Sequence, residues 1–313
     1  NVENGMVTPR FAGNATITAT PASGSGKSGT CEVEVAEPVN LPAVDTYLPM
    51  RGGTIKVGDI WNGEPGDSGD DNKAKYDINV SAFKIGKTEV RYELWYIVRE
   101  WGEGHGYTFE NKGQAGKSGG VGAFPVSPSK DEPVTTINWR DAVVWCNAYS
   151  EITGKEAVYR NKDSSVLKDS TKEVENLVID DKAKIELYNG YRLPTEREWE
   201  YTARGGKPSA IEWAYQWAGT NTDLGNFAWY YIDSTSTTHP VGQKTANSAG
   251  LYDMSGNVWE WCFNTYSVGS MGRAVRGGSW RHNEGGCSVA FRSGTNNPDN
   301  VINYLGFRVV CSR

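Results

Sequence analysis

Two short runs near the start, ATITAT (15–20) and CEVEV (31–35), place apolar residues at every second position and flank a Gly/Ser-rich stretch. Alternation of period two bounded by turn residues predicts a β-hairpin. A lone hairpin is marginally stable in water, so this one is expected to pack on something or to be the remnant of a domain. The segment EPVNLPAVDTYLP (37–49), with its three prolines, then predicts a linker.

Beyond Met50 the pattern becomes mixed. GGTIKVG (52–58) and YDINVSAFKIGKTEV (76–90) predict strands on either side of an exposed acidic loop, GEPGDSGDDNK (63–73). Thr88 is expected to open a helix carrying Tyr92, Trp95 and Tyr96 and stopped near Gly102. The Gly-rich stretch 102–122 predicts irregular chain. NWRDAVVWCNAYSEITG predicts a second helix ended by Gly154, and AVYR, NLVID and KIELY read as short strands of an insertion. Thr195 and Glu198 form a capping box after Pro194, which predicts a third helix ended by Gly205. Turns and short strands follow. RGGSWRHNEGGC (276–287) stands out: a double-glycine frame runs into residues with neither period nor turn grammar. A second unpatterned run, Ser293 to Tyr304, precedes the ordered LGFRVV. The fold class is therefore α+β with long loops.

Composition narrows this picture. Twelve Trp, 16 Tyr and 37 Gly in 313 residues suit large side chains packed around irregular backbone better than a helical bundle. Thirty-two basic and 38 acidic residues leave a net charge of −6 with no basic run, which disfavours nucleic acid as a partner. No apolar stretch approaches the roughly 20 residues that span a bilayer. The five cysteines (Cys31, Cys146, Cys262, Cys287, Cys311) form no CxxC pair, and no zinc site is expected from them and the three histidines.

PVTTINWRDAVVWC, NGYRLPTEREWEYTARGG, GLYDMSGNVWEW, RAVRGGSW and LGFRVV occur in this order. Together they resemble the formylglycine-generating, sulfatase-modifying factor family across roughly residues 48–313. The resemblance implies a C-type-lectin-like fold of the formylglycine-generating-enzyme type over residues 38–313. The short β segment 1–37 resembles the truncated end of a bacterial Ig-like domain followed by the linker. The family's enzymes carry a copper-binding cysteine pair just after the GGS turn. Aligned on GGSW, those positions are His282 and Cys287. With one thiolate of two gone, a Cu(I) site loses the soft ligand set it favours, and no enzyme is expected.

A fixed frame around arbitrary residues, ending in LGFR, resembles the variable proteins of diversity-generating retroelements, as known from Treponema. This places a variable region at about 273–310. Miscopied template adenines in AAC-type codons reach every one of Arg281, His282, Asn283, Gly285, Gly286, Phe291, Ser293, Gly294, Thr295, Val301, Asn303 and Tyr304, but not Glu284. These twelve are the expected ligand-binding residues, held by a frame of Gly277, Gly278, Trp280, Phe307 and Arg308. The family's calcium loop carries over to the Asp253 side chain, the Gly256 and Val258 carbonyls and the Glu260 carboxylate. A looser second match falls on Asn226, Phe227, Asp233 and Thr235. Cys146 and Cys311 match positions that resemble a family disulfide, whereas Ala203 occupies one place of the second. Asn297-Pro298-Asp299 is a chance likeness to lectin sugar loops.

The expectation is a monomeric, non-catalytic protein displayed on the bacterial cell surface, an outer-surface lipoprotein anchored through a lipid upstream of Asn1. Its partner would be an external protein or glycan, with no cofactor required; Asp253 and Glu260 either hold calcium as a structural ion or cap turns. A copper-dependent formylglycine-generating oxidase and a ligandless structural surface module are the alternatives.

Overall fold

The structure, a computed structural model, describes residues 2–3, 6–7, 13–19, 29–35, 41, 47–57, 76–172, 189–207, 209–266 and 271–312. Two compact units divide the chain, Asn1–Leu41 and Pro42–Arg313. In the first, β1 (Val2–Glu3) pairs with β2 (Met6–Val7). The predicted hairpin forms from β3 (Gly13–Ala19) and β4 (Gly29–Val35), antiparallel, with Ile17 opposite Cys31.

The second unit is mixed α+β. Its chain runs through β5 (Tyr47–Met50), β6 (Gly53–Val57), β7 (Tyr76–Val80), β8 (Phe83–Gly86) and helix α1 (Tyr92–Glu103). Then come β9 (Gln114–Ala115), β10 (Val134–Thr135), α2 (Trp139–Ile152), β11 (Tyr191–Arg192) and α3 (Glu196–Ala203). The C-terminal part holds β12 (Trp259–Thr265), β13 (Arg273–Arg276), β14 (Ser293–Asn296), β15 (Leu305–Gly306) and β16 (Val310–Cys311). One four-stranded sheet has the order β11-β16-β8-β5, another β14-β13-β12-β15. β15 joins β12 in parallel, and the other pairs are antiparallel. Both sheets thus draw strands from the last eight described residues, which closes the C-terminus into the core.

Helix α2 is anchored by a capping box, Asn138 accepting from the Asp141 backbone N–H at 2.8 Å and Asp141 from that of Asn138 at 3.1 Å. Residues 139–150 are all buried, so α2 is an interior helix rather than a surface one. Trp145 stacks on Trp95 of α1 at 5.9 Å, and Phe307 meets both rings edge-on. The indole N–H groups of Trp139 and Trp145 donate to the carbonyls of Cys262 and Trp95, which lets these large rings be buried without orphaned donors.

Several sequence expectations need correction. Helix α1 begins at Tyr92, not at Thr88. The Val90 N–H donates to Phe307 O, Val90 O accepts from Val134, and Arg91 bridges to Pro133, so cross-chain pairing claims those residues before helical bonds can form. Tyr47–Met50, read as the end of the linker, pairs with β8 as a strand. AVYR contributes only a single bridge, Arg160 to Val166. NLVID, KIELY and the acidic loop lie outside the described residues.

Candidate functional site

The frame is built from close backbone approach. Gly277 and Gly278 both have positive φ (96° and 76°), which L side chains rarely adopt. A Cβ on Gly278 would stand 2.6 Å from Gly286 O and 2.7 Å from Cys287 Sγ, so only glycine lets the turn clamp the chain beyond it. Trp280 follows, 8% exposed, with its backbone N–H donating to Asn257 O and its carbonyl accepting from Ser234 Oγ. Lys117 Nζ lies 4.7 Å over the Trp280 ring.

From this base the chain turns outward. Arg281 and Asn283 are exposed and His282, Phe291 and Tyr304 half-buried. His282 and Phe291 pack on Trp259, with centroids at 5.3 and 5.8 Å. Tyr304 meets His282 edge-on at 5.8 Å, and the Arg281 guanidinium lies 4.7 Å over the Tyr304 ring. Four expected ligand residues from three chain segments, Arg281, His282, Phe291 and Tyr304, thus form one array on a floor made by the buried Trp259, with the exposed Asn283 beside it. Val301 is exposed, and Gly285, Ser293, Gly294 and Asn303 are half-buried; the Thr295 side chain lies outside the described residues.

Two members of the set are poorly placed to vary. Gly286 is buried, and a Cβ there would meet His282 Cβ at 3.0 Å, which corrects the expectation that it faces solvent. A Cβ on Gly294 would run into the Tyr266 ring, so substitution there requires the ring to move. Ser293–Asn296 is also no irregular run but strand β14, paired with β13. Conversely, the sequence reading missed Tyr231 and Ile232, 67% and 72% exposed. They adjoin the array because the Tyr231 N–H donates to His282 O at 3.0 Å. Nothing in the aperiodic stretch around them signals exposure.

The positions aligned with the family's cysteine pair hold His282 and Cys287. Burial pushes the Cys287 thiol up to about 12, and its neighbours include Trp217, Leu224, Ala228 and Tyr230. Burial, and then the adjacent Arg281 charge, lower His282 to about 4, so its ring is neutral near pH 7. Its Nδ1 lies 2.7 Å from Ser279 Oγ. Cys146 and Cys311 are buried free thiols, as are Cys262 and Cys287, so the Cys146–Cys311 bridge implied by resemblance is not present.

The residues expected to bind calcium lie deeper, beneath the frame. Asp253 and Glu260 are 2% and 0% exposed, and Gly256 and Val258 are buried with them. Asp253, Gly256 and Asn257 all have positive φ, which winds this loop tightly; a Cβ on Gly256 would strike Trp229 O at 2.3 Å. Glu260 is committed elsewhere. Its Oε1 accepts from Arg308 Nη2 at 2.7 Å, and its Oε2 from Arg308 Nε at 2.8 Å and Trp199 Nε1 at 2.7 Å. Asp253 Oδ2 accepts from the Gly242 N–H at 2.7 Å, whereas its buried Oδ1 has no partner. Among the described residues, no three Asp, Glu, His or Cys side chains converge on one metal position. At the looser second set, Lys244 Nζ already sits 2.6 Å from Asp233 Oδ2 and 2.5 Å from Gly225 O, which supplies a cation from the chain itself. The Asn297-Pro298-Asp299 segment is structural: Pro298 O accepts the Trp139 N–H at the start of α2, and Asp299 pairs with Arg140.

Residues 33–313 match the family described as sulfatase-modifying factor enzyme 1-like domain. The chain is 29% identical to Chaperone protein LppX of Paenibacillus barcinonensis over 266 residues, 77% of this chain and 80% of that protein. It is 37% identical to Inactive C-alpha-formylglycine-generating enzyme 2 of Mus musculus over 137 residues, 40% of this chain and 44% of that one. With Formylglycine-generating enzyme of Streptomyces coelicolor it shares 35% over 148 residues, 38% and 46% of the two chains. The matches to these last two thus span less than half of their length. Among solved structures, CarF superposes with a TM-score of 0.70 and 29% identity, covering 86% of this chain and 98% of its own. Treponema denticola variable protein 1 gives 0.63 and 27%, covering 96% and 99%.

Proposed function

The chain belongs to the family of the sulfatase-modifying factor enzyme 1-like domain, which matches residues 33–313, and we propose that within this family it is a non-catalytic, surface-displayed ligand-binding protein. In this reading a C-type-lectin-like scaffold presents a face diversified by a retroelement. The face is the array of Arg281, His282, Asn283, Phe291, Val301 and Tyr304, widened by Tyr231 and Ile232. Its ligand is an external protein or glycan. An aromatic floor with mixed polar and charged groups above it suits macromolecular recognition, where Tyr, Trp and Arg carry most of the energy. The likeness to Treponema denticola variable protein 1 along 96% of the chain supports the same reading. No helix among the described residues is long and apolar enough to cross a membrane.

The observation that carries the non-catalytic half is Cys287. It is a single thiol, and the position that would supply its partner is His282, so the pair of soft thiolates that a Cu(I) site favours is not there. Purified protein given Cu(I), oxygen and a cysteine-containing sulfatase peptide should yield no formylglycine. Turnover that Cys287→Ser abolishes would overturn the reading in favour of the oxidase.

Calcium is a structural question within the same proposal. The unpartnered Asp253 Oδ1, with the carbonyls of Gly256 and Val258, offers hard oxygen donors of the kind calcium takes. Glu260, tied to Arg308 and Trp199, is the least available of the expected ligands.

A further inference from the structure

The glycines of the C-terminal region are held to glycine by different things. At Gly278 the obstacle is the main chain: φ is positive, and a Cβ would stand against Gly286 O and the Cys287 Cα. At Gly294 φ lies outside the left-handed region, so the backbone itself accepts any L residue. There the three atoms nearest to a Cβ all belong to the Tyr266 ring. Whether a side chain fits at 294 is decided by the position of one ring.

Tyr266 is half-buried, follows the end of β12, and lies outside the run of expected ligand residues. Its backbone is pinned, the N–H donating to Gly272 O at 3.0 Å and the carbonyl accepting from Arg292 Nη2 at 2.8 Å. Arg292 is fixed in turn by Glu196, whose two carboxylate oxygens accept from Nε at 2.6 Å and Nη2 at 2.7 Å. Its guanidinium lies 4.7 Å over the Tyr266 ring. The ring thus rests against a guanidinium and the Gly294 main chain, whereas the bonds just named use no ring atom. The ring's Cγ is among the atoms that a Cβ would meet, and it lies on the axis about which the ring flips, so flipping clears nothing. Rotation about Cα–Cβ into another staggered well does clear it. That rotation gives up the Arg292 contact, a modest loss at a partly exposed site, and leaves the Arg292–Glu196 pair in place.

We propose that Tyr266 is a movable element of the ligand face with two positions, chosen by codon 294. The ring lies on β14 when residue 294 is glycine and turns out into solvent when that residue carries a Cβ. Among the residues an AAC-type codon reaches, glycine alone lacks one. A change at 294 therefore alters the face twice, through its own side chain and through an aromatic ring whose codon stays constant. This rests on the display reading, and it adds to the face a tyrosine, a residue type that carries much of the energy of interfaces.

The test uses the full chain labelled with 3-fluorotyrosine, the Tyr266 fluorine resonance being assigned by its loss in Tyr266→Phe. In Gly294→Ser and Gly294→Asn that resonance should move toward the position of free 3-fluorotyrosine and be broadened by a soluble gadolinium chelate more strongly than in wild type. An unmoved resonance in both variants would overturn the proposal. Melting temperatures give a second readout. Gly294→Ser should be better tolerated once Tyr266→Ala has removed the ring, and an equal effect in both backgrounds would overturn the proposal as well. Should Gly294→Ser fail to fold, its rescue by Tyr266→Ala supports the account and failure in both backgrounds sinks it. The role in binding is read with synthetic single-domain antibodies selected on Gly294→Ser after depletion on wild type. At least one should bind 10-fold or more weakly when Tyr266→Ala is added, and unchanged affinity of all of them would remove the ring from the face. Neither the fluorine signal nor the melting temperature needs the locus to vary. A uniform locus would therefore overturn the display reading and leave the two positions standing, whereas a fixed ring would overturn this inference alone.

Discussion

His282 shows how far burial, helped by a neighbouring charge, can set a residue's chemistry. The unfolded chain protonates this ring near 6.5, the folded chain only near 4, so the unfolded state takes up the proton first as pH falls. The contribution of the neutral ring is therefore complete above about pH 6.5 and is lost as pH drops through about 4. His282→Gln should flatten the fall in melting temperature across that window, and an unchanged slope would show that the ring titrates normally. Trp280 is the opposite kind of residue. At 8% exposure it belongs to the core, and Trp280→Ala should cost about 3–5 kcal/mol, read as the shift of a chemical denaturation curve. Arg281→Ala, one residue on and exposed, should stay within about 0.5 kcal/mol. A melting temperature indifferent to Trp280→Ala would move that ring to the ligand face. The sequence marked the passage from frame to face at this point, because a double glycine and a large aromatic give way to residues without pattern. It could not mark Gly286 as buried or Tyr231 as exposed, since both facts depend on what packs from elsewhere.

Elements were legible where their signals are local. The Thr195–Glu198 box that starts α3 is present in both directions, and the β3–β4 hairpin follows its alternation. Helix α1 was misplaced at its start because Val90 and Arg91 pair with strands far along the chain, a competition no window of sequence contains. The buried pair of Glu260 and Arg308 is of the same kind. It joins β12 to the segment between β15 and β16, and Arg308 also holds Gly86 O at 3.1 Å and Tyr252 O at 2.9 Å. Arg308→Met would strand Glu260 without its cation and should destabilise by about 3–5 kcal/mol. Removing both charges as Glu260→Gln with Arg308→Met should recover part of that loss. A single substitution as mild as the double one would mean that the pair contributes little to closing the C-terminus.

On the scale of the whole molecule, five ordered phrases sufficed to identify the family, and 33–313 is the range that matches it. What one sequence cannot carry is variation itself. The account divides residues 276–308 into a buried frame and an exposed to half-buried array, with His282 and Phe291 packed on Trp259, and it assigns change to the array alone. That division is physical: side chains meeting solvent can be exchanged at little cost, whereas Gly277, Gly278, Trp280, Phe307 and Arg308 cannot. Sequencing this locus in many cells of one strain tests it most directly. The account predicts substitutions clustered at the codons of Arg281, His282, Asn283, Phe291, Val301, Asn303 and Tyr304, each traceable to a template adenine, with the five frame codons and Trp259 constant. A uniform locus, or changes spread evenly over frame and face, would contradict it.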